Sequence, residues 1–184
     1  MGGVLAHAVA VALQREGEQI STLAVLDTYP ADADIDSDTG LQESAPTVAD
    51  MFGVADGATS GATNGVTVGE MSIADLTPEA AMDLAAALPS PLGDLTPARI
   101  ERMFDGVRHS YRALATHRPG KFDGDLLIFV AGDDRSASDA ESWHRHVSGV
   151  VVAEMVSETH WRMLSRDAVA HIGPVLGRWL AGRS

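Results

Sequence analysis

The chain has 184 residues, 45% of them hydrophobic and 21% charged, which suits one globular domain with a hydrophobic core. Its net charge of −13 excludes the broad basic surface with which proteins displace counterions from nucleic-acid phosphates. The absence of cysteine excludes disulfides, thiolate metal ligands and a cysteine nucleophile. We therefore expect no nucleic-acid partner.

No segment has the pattern of a membrane span or a targeting signal. The longest apolar run, residues 2–13, contains His7 and is too short to cross a bilayer. It lacks the basic residues that open a secretory signal, and Ala6 stands where an N-myristoylation motif needs serine or threonine. We expect no membrane association and a cytoplasmic location.

The chain opens with a predicted helix and a predicted strand. Apolar residues recur every three or four positions over Gly3–Glu16, around most of the circumference, so the helix is predicted to be buried on more than one side. Gly17 ends this helix. The apolar run Ile20–Leu26 then predicts a buried strand. Pro30 cannot continue a central strand, which places Asp27 just past the strand's carboxyl end.

A long insertion follows. Residues 31–69 are first acidic and then rich in Gly, Ala and Thr, without the periodicity of a helix or a strand. Such a segment is typical of a functional lid or a disordered region. Thr77-Pro78 and Thr96-Pro97 are helix-start signals that predict one helix over Ala80–Leu88 and a longer one ending near His117.

The rest of the chain alternates between strands and helices. The predicted elements are strand Asp125–Ala131, helix Ser138–Val147, strand Val150–Val156 and helix Arg166–Leu180. This alternation, with apolar and β-branched strands, predicts an α/β fold with a parallel sheet flanked by helices.

Parallel sheets place their functional residues beyond the carboxyl ends of their strands. The residues that meet this condition are Asp27, Asp133, Asp134 and His160. His160 is the strongest single candidate, because it follows the last predicted strand by a few residues, in a loop before the final helix. A histidine general base needs a carboxylate on its other ring nitrogen, which Asp27 at one strand end, or Asp133 or Asp134 at the other, can supply. The alternatives are an ordinary loop histidine and aspartates that only form turns.

Other chemistry has less support. His144 and His146 are two residues apart on a predicted helix and project to different sides, so they are a poor metal-binding pair. We expect no metal site. No serine lies in a Gly-x-Ser-x-Gly setting, and Ser60 belongs to the insertion, so the chain has no convincing nucleophile.

Three segments together carry a family resemblance. They are GGVLAHAVAVALQREGEQISTLAVLDTYPAD at residues 2–32, FDGDLLIFVAGDD at 122–134 and SETHWRMLSRDAVAHIGPVL at 157–176. In this order they resemble the thioesterase domains that end nonribosomal peptide synthetases and their polyketide relatives, which are α/β-hydrolases. The resemblance covers nearly the whole chain and is weakest over residues 32–68.

The resemblance implies roles for individual residues. Asp27 matches the acid of the catalytic triad and His160 the general base, with Asp133 as the alternative acid. Gly2 and Gly3 match the two glycines that close the nucleophile elbow.

Met1 matches the residue directly after the nucleophilic serine, which implies that residues 1–184 are the C-terminal portion of one thioesterase domain. The serine would directly precede Met1, so the chain as written is expected to be inactive. The segment from about residue 31 to 119 corresponds to the family's lid over the acyl channel.

The function implied is release of an acyl or peptidyl chain from a carrier protein, by hydrolysis or macrocyclisation through an acyl-serine. The acyl substrate is a small molecule delivered on the carrier's phosphopantetheine thioester, and no cofactor is bound covalently. Two alternatives stay open. One is a non-catalytic truncated remnant or binding module, and the other is a lipase-like or esterase-like hydrolase, which usually places its acid after the following strand.

Overall fold

The computed structural model describes residues 1–20, 22–30, 62–63, 66–67, 77, 96–132 and 135–182. The chain forms two compact units, one from Met1–Ala33 with His117–Ser184 and the other from Asp34–Thr116. The predicted helix Ala80–Leu88 and most of the predicted lid lie outside the described residues, so the lid stays a prediction.

The first unit contains a three-stranded parallel sheet. Its elements are helix α1 (Gly2–Arg15), strand β1 (Leu23–Leu26), strand β4 (Leu126–Ala131), a 3₁₀ helix (Ala137–His146), strand β5 (Val151–Val156), a short 3₁₀ helix (His160–Arg162) and helix α3 (Arg166–Ala181). The strands lie in the order β1-β4-β5, and Leu26 is opposite Phe129 while Ala131 is opposite Val156. The predicted α/β fold with a parallel sheet is confirmed.

The central strand forms the middle of the core. All six residues of β4 are buried, because strands pair with both of its edges and helices cover the sheet. On one face, Leu127 and Phe129 belong to a cluster with Met163 and with Ala168 and Ile172 of α3. The Ser165 hydroxyl caps α3 by accepting a hydrogen bond from the Ala168 amide at 3.1 Å. This packing fixes the loop between β5 and α3.

Helix α1 differs from the prediction in what it buries. Its buried residues are Val4, His7, Ala10 and Val11, which form one stripe. Leu5 and Val9 are 65% and 50% exposed, so the prediction of burial on more than one side is wrong. The reason is geometric, since this sheet covers only one face of the helix among the described residues.

The second unit contains strands β2 (Ala62–Thr63) and β3 (Val66–Thr67) and helix α2 (Pro97–Thr116). The predicted longer helix is confirmed, and Ile100 and Phe104 on its apolar stripe are fully buried. β2 and β3 pair antiparallel, which the prediction of an irregular insertion missed. The sequence Asn64-Gly65 between them is a strong two-residue hairpin signal. Within the described residues, none of the helices combines the length and apolar character needed to span a bilayer.

Candidate active site

Two of the predicted residues meet at the carboxyl edge of the sheet. Asp27 directly follows β1 and His160 lies in the loop after β5. The Nδ1 atom of His160 lies 2.7 Å from Asp27 Oδ2, although the residues are 133 positions apart. The Asp27 side chain is 2% exposed and that of His160 is 41% exposed. The pair therefore joins a buried carboxylate to an imidazole that reaches the surface.

The backbone at Asp27 takes an unusual conformation that directs its side chain. Its φ is +37°, in the left-handed region that aspartate tolerates better than most residues. The Asp27 amide donates to the Phe129 carbonyl at 2.7 Å, which extends the pairing of β1 with β4 by one residue. The chain then turns away from the sheet, leaving the carboxylate at the strand's end.

Several donors surround the Asp27 carboxylate. Oδ1 accepts hydrogen bonds from the Tyr29 hydroxyl at 2.8 Å and from the Ala131 amide at 3.1 Å. Burial acts to raise the pKa of Asp27, but the hydrogen bonds from His160, Ala131 and Tyr29 outweigh it and hold the pKa below its ordinary value. Asp27 is therefore ionised at neutral pH, and its Oδ2 accepts a hydrogen bond from the Nδ1–H of His160.

Sequence reasoning missed three residues that shape this site: Tyr29 and Ala131, which contact the carboxylate, and Trp143, which contacts the turn beside it. The indole Nε1 of Trp143, which is fully buried, donates to the Thr28 carbonyl at 2.8 Å and so anchors the turn after β1. The contact of Tyr29 with Asp27 does have a local signal, because the two residues are only two positions apart at the end of a strand. The other two contacts depend on tertiary packing and have no local sequence signal.

The loop that carries His160 is held from both sides. The short 3₁₀ helix His160–Arg162 begins after Thr159, and Glu158 accepts hydrogen bonds from Arg162 at 2.7 Å and from the Ser165 hydroxyl at 3.2 Å. The ring of Trp161, 44% exposed, meets the imidazole of His160 edge-on with 4.9 Å between centroids. These contacts restrict the imidazole to the neighbourhood of Asp27.

The three predicted elbow residues lie at the start of α1. The Met1 carbonyl accepts from the Val4 amide at 3.1 Å and begins the helix. A Cβ on Gly3 would stand 2.8 Å from Thr28 Cβ, whereas one on Gly2 would meet no described atom within 4 Å. Gly3 is thus the glycine that close packing requires.

The remaining candidates are not among the described residues that form this site. Asp133 and Asp134 lie outside the described residues, so the alternative acid stays a prediction. His144 is exposed, and the described part of the chain contains no group of three or more acidic or histidine side chains able to hold a metal ion. A surface cleft lined by Arg15, Lys121 and Asp123 lies beside the amino ends of the strands, away from the Asp27–His160 pair.

Comparison with known families shows which family the chain belongs to. Residues 1–177 match the family model of the thioesterase domain. The chain belongs to the thioesterase domain family. The contact between Asp27 after β1 and His160 after β5 therefore lies in a chain of this family.

Two curated relatives are nonribosomal peptide synthetases. The thioesterase chain is 28% identical over 181 residues to the probable non-canonical nonribosomal peptide synthetase CymA of Salinispora arenicola (strain CNS-205), a match covering 97% of this chain and 2% of CymA. It is 25% identical over 179 residues to a dimodular nonribosomal peptide synthase of Bacillus subtilis (strain 168), covering 96% of this chain and 7% of the synthase. The chain spans a small fraction of both relatives.

Solved structures agree on the fold. The thioesterase chain superposes on the Vlm2 thioesterase domain, solved with a dodecadepsipeptide, with a TM-score of 0.60 and 18% identity, covering 96% of this chain and 62% of that one. The fold is thus that of nonribosomal-peptide-synthetase thioesterase domains, of the α/β-hydrolase type. Among the described residues, three parallel strands and the helices beside them form the shared part of that fold.

Proposed function

We propose that this chain supplies the acid and the base of a thioesterase that releases an acyl or peptidyl chain from a carrier protein. The observation that carries the proposal is the 2.7 Å contact between His160 Nδ1 and Asp27 Oδ2 at the carboxyl edge of a thioesterase-family sheet. The nucleophile in this proposal is the serine that the resemblance places directly before Met1.

The chemistry proceeds in two balanced steps. The serine Oγ attacks the thioester carbonyl carbon while His160 Nε2 takes the hydroxyl proton, and the phosphopantetheine thiol leaves with that proton. Water or a nucleophile of the acyl chain then attacks the ester, giving an acid or a macrocycle and restoring the serine. Asp27 keeps Nδ1 protonated and stabilises the imidazolium that forms in each step.

Three elbow residues have a supporting role in this proposal. The amide that follows the nucleophile in an elbow donates to the oxyanion, and in this chain that amide belongs to Met1. Gly3 allows α1 to approach β1 closely enough to bring that amide to the end of the sheet. The predicted lid, from about residue 31 to 119, would exclude water and shape the acyl cavity.

The carrier-bound substrate is also part of the proposal. Both curated relatives are peptide synthetases, so we expect the acyl group to arrive on the phosphopantetheine of an acyl or peptidyl carrier protein. The thioesterase itself then needs no bound cofactor, because the energy of the thioester drives acyl transfer. A binding module without turnover is the alternative.

The test starts with the codons directly upstream of Met1. An in-frame Gly, an aromatic residue and Ser support the catalytic proposal, whereas a stop codon there favours the binding module. The polypeptide extended through that serine should hydrolyse an acyl-N-acetylcysteamine thioester, and His160→Ala and Asp27→Ala should each remove most of the turnover. Full hydrolysis by either variant would overturn the assignment of these two residues.

A further inference from the structure

The acid of the proposed pair is held by a second side chain from its own turn. Asp27 Oδ1 accepts from the Tyr29 hydroxyl at 2.8 Å and from the Ala131 amide at 3.1 Å. Asp27 Oδ2 contacts His160 Nδ1 at 2.7 Å. The two oxygens of the carboxylate therefore have separate partners: Oδ1 binds the two donors Tyr29 and Ala131, and Oδ2 binds His160.

This division matters because a carboxylate turns easily about its last bond, whose torsion has only broad preferences. The contact with His160 fixes one oxygen but leaves the plane of the carboxylate free to tilt. The Ala131 amide is fixed by β4, and the Tyr29 hydroxyl reaches the same oxygen from the turn. Two donors on Oδ1 define the plane and leave Oδ2 aligned with His160.

Tyr29 is itself held in place. The Arg135 guanidinium lies over its ring, 4.7 Å from the centroid. The Trp143 indole fixes the Thr28 carbonyl at 2.8 Å, which anchors the backbone between Asp27 and Tyr29. The hydroxyl is thus a donor placed before any substrate arrives, and its position does not depend on His160.

Electrostatics keeps this donor protonated. Burial, together with the hydrogen bond to Asp27, raises the pKa of Tyr29 well above its ordinary value. The phenol therefore remains a donor across the pH range in which histidine chemistry operates. Its proton stays on the oxygen, so the hydroxyl acts as a hydrogen-bond donor without proton transfer.

We propose that Tyr29 is a positioning residue: its hydroxyl holds Asp27 Oδ1 and thereby sets the alignment of Oδ2 with His160 Nδ1. The catalytic meaning of this role rests on the proposed function. The physical coupling of Tyr29 to the acid–base pair does not, and it is measurable without turnover. The two donors on Oδ1 also lower the basicity of the Asp27 carboxylate, so the carboxylate stays ionised beside the imidazole.

The test is an NMR titration of this chain with ¹³C-labelled aspartate carboxyls and ¹⁵N-labelled histidine. Tyr29→Phe should raise the pKa of Asp27 by about one pH unit, because the ionised carboxylate loses one charge-assisted hydrogen bond. The downfield proton signal of His160 Nδ1 should broaden as the carboxylate gains freedom. Tyr111→Phe, which changes the chain's other tyrosine in α2, should alter neither signal.

A second variant separates the role from simple loss of structure. In the Tyr111→Phe background, biosynthetic 3-fluorotyrosine labels position 29 alone and preserves the ring's shape. Fluorination makes the phenol a stronger donor, so the pKa of Asp27 should fall below that of the unlabelled chain. Opposite shifts from the phenylalanine and fluorotyrosine chains support the proposal. An unchanged Asp27 titration in the folded fluorotyrosine chain overturns it, whether or not the complete enzyme releases acyl chains.

Discussion

Gly3 lies so close to β1 that a Cβ built on it would stand 2.9 Å from the Cβ of Val25. A Cβ on the neighbouring Gly2 would meet no described atom within 4 Å. The two adjacent glycines thus differ in purpose. Gly3 permits the close approach of α1 to the sheet, and Gly2 is not required by packing among the described residues.

Gly3→Ala should therefore destabilise the chain by about 1–3 kcal/mol, the usual cost of forcing a methyl group into a packed interior. Gly2→Ala is the matched control and should change the free energy of unfolding by less than about 0.5 kcal/mol. Urea unfolding followed by circular dichroism measures both. Equal effects of the two substitutions would contradict the role assigned to Gly3.

The pH dependence of stability should be governed in part by His7. His7 is fully buried, its Nε2 donates to the His146 carbonyl at 2.9 Å, and its Nδ1 has no partner among the described residues. Burial lowers the pKa of His7, the bond to His146 opposes this, and nearby His117 lowers it further. The folded chain therefore binds fewer protons than the unfolded chain, and stability should fall as the pH drops below about 6.5.

His7→Phe should reduce the slope of unfolding free energy against pH between about 5 and 7, by up to about 1.4 kcal/mol per pH unit for one proton. Some slope should remain, because burial also lowers the pKa of His146. His144→Gln, at an exposed histidine of the same 3₁₀ helix as His146, is the control and should preserve the slope. An unchanged slope in His7→Phe would show that His7 does not cause the acid sensitivity.

Much of this fold follows from the sequence because its signals are local. The apolar run Asp125–Ala131 predicts the strand Leu126–Ala131 to within one residue, since a continuous apolar run suits a strand buried on both faces. Parallel strands bring their carboxyl ends to one edge, which places Asp27, Asp133 and His160 together as candidates, and the family resemblance favours Asp27 as the partner of His160. The burial of His7 has no local signal, because it depends on which neighbours cover α1. Phe122 and Trp143 surround its ring through tertiary packing alone.

Asp27→Asn should destabilise the fold, and the size of the destabilisation should depend on pH. The folded pKa of Asp27 is held below its ordinary value of 3.8, so the carboxylate stabilises the fold above that pH. This contribution is lost as the pH falls through the folded pKa. The variant should lose about 1–3 kcal/mol at pH 7, where charge-assisted hydrogen bonds disappear, and the difference should shrink towards pH 3.

Urea titrations at both pH values measure that difference. Glu141→Gln removes one negative charge from an exposed position on the 3₁₀ helix and should leave stability nearly unchanged at either pH. A loss in Asp27→Asn that is the same at pH 3 and pH 7 would mean that packing, and not the ionised carboxylate, supplies the stability.

The outer face of α1 should make this chain self-associate. Leu5 and Val9 are one helical turn apart and 65% and 50% exposed, and β1 pairs with β4 on one edge only among the described residues. Adjacent exposed apolar side chains and an open strand edge both favour association.

We expect light scattering after gel filtration to give a mass above 19.3 kDa that grows with concentration. The double variant Leu5→Glu/Val9→Gln should lower that mass, while Leu164→Gln, at a residue 76% exposed elsewhere, should not. A monomeric wild-type chain that melts cooperatively would show that the α1 face and the β1 edge do not drive association.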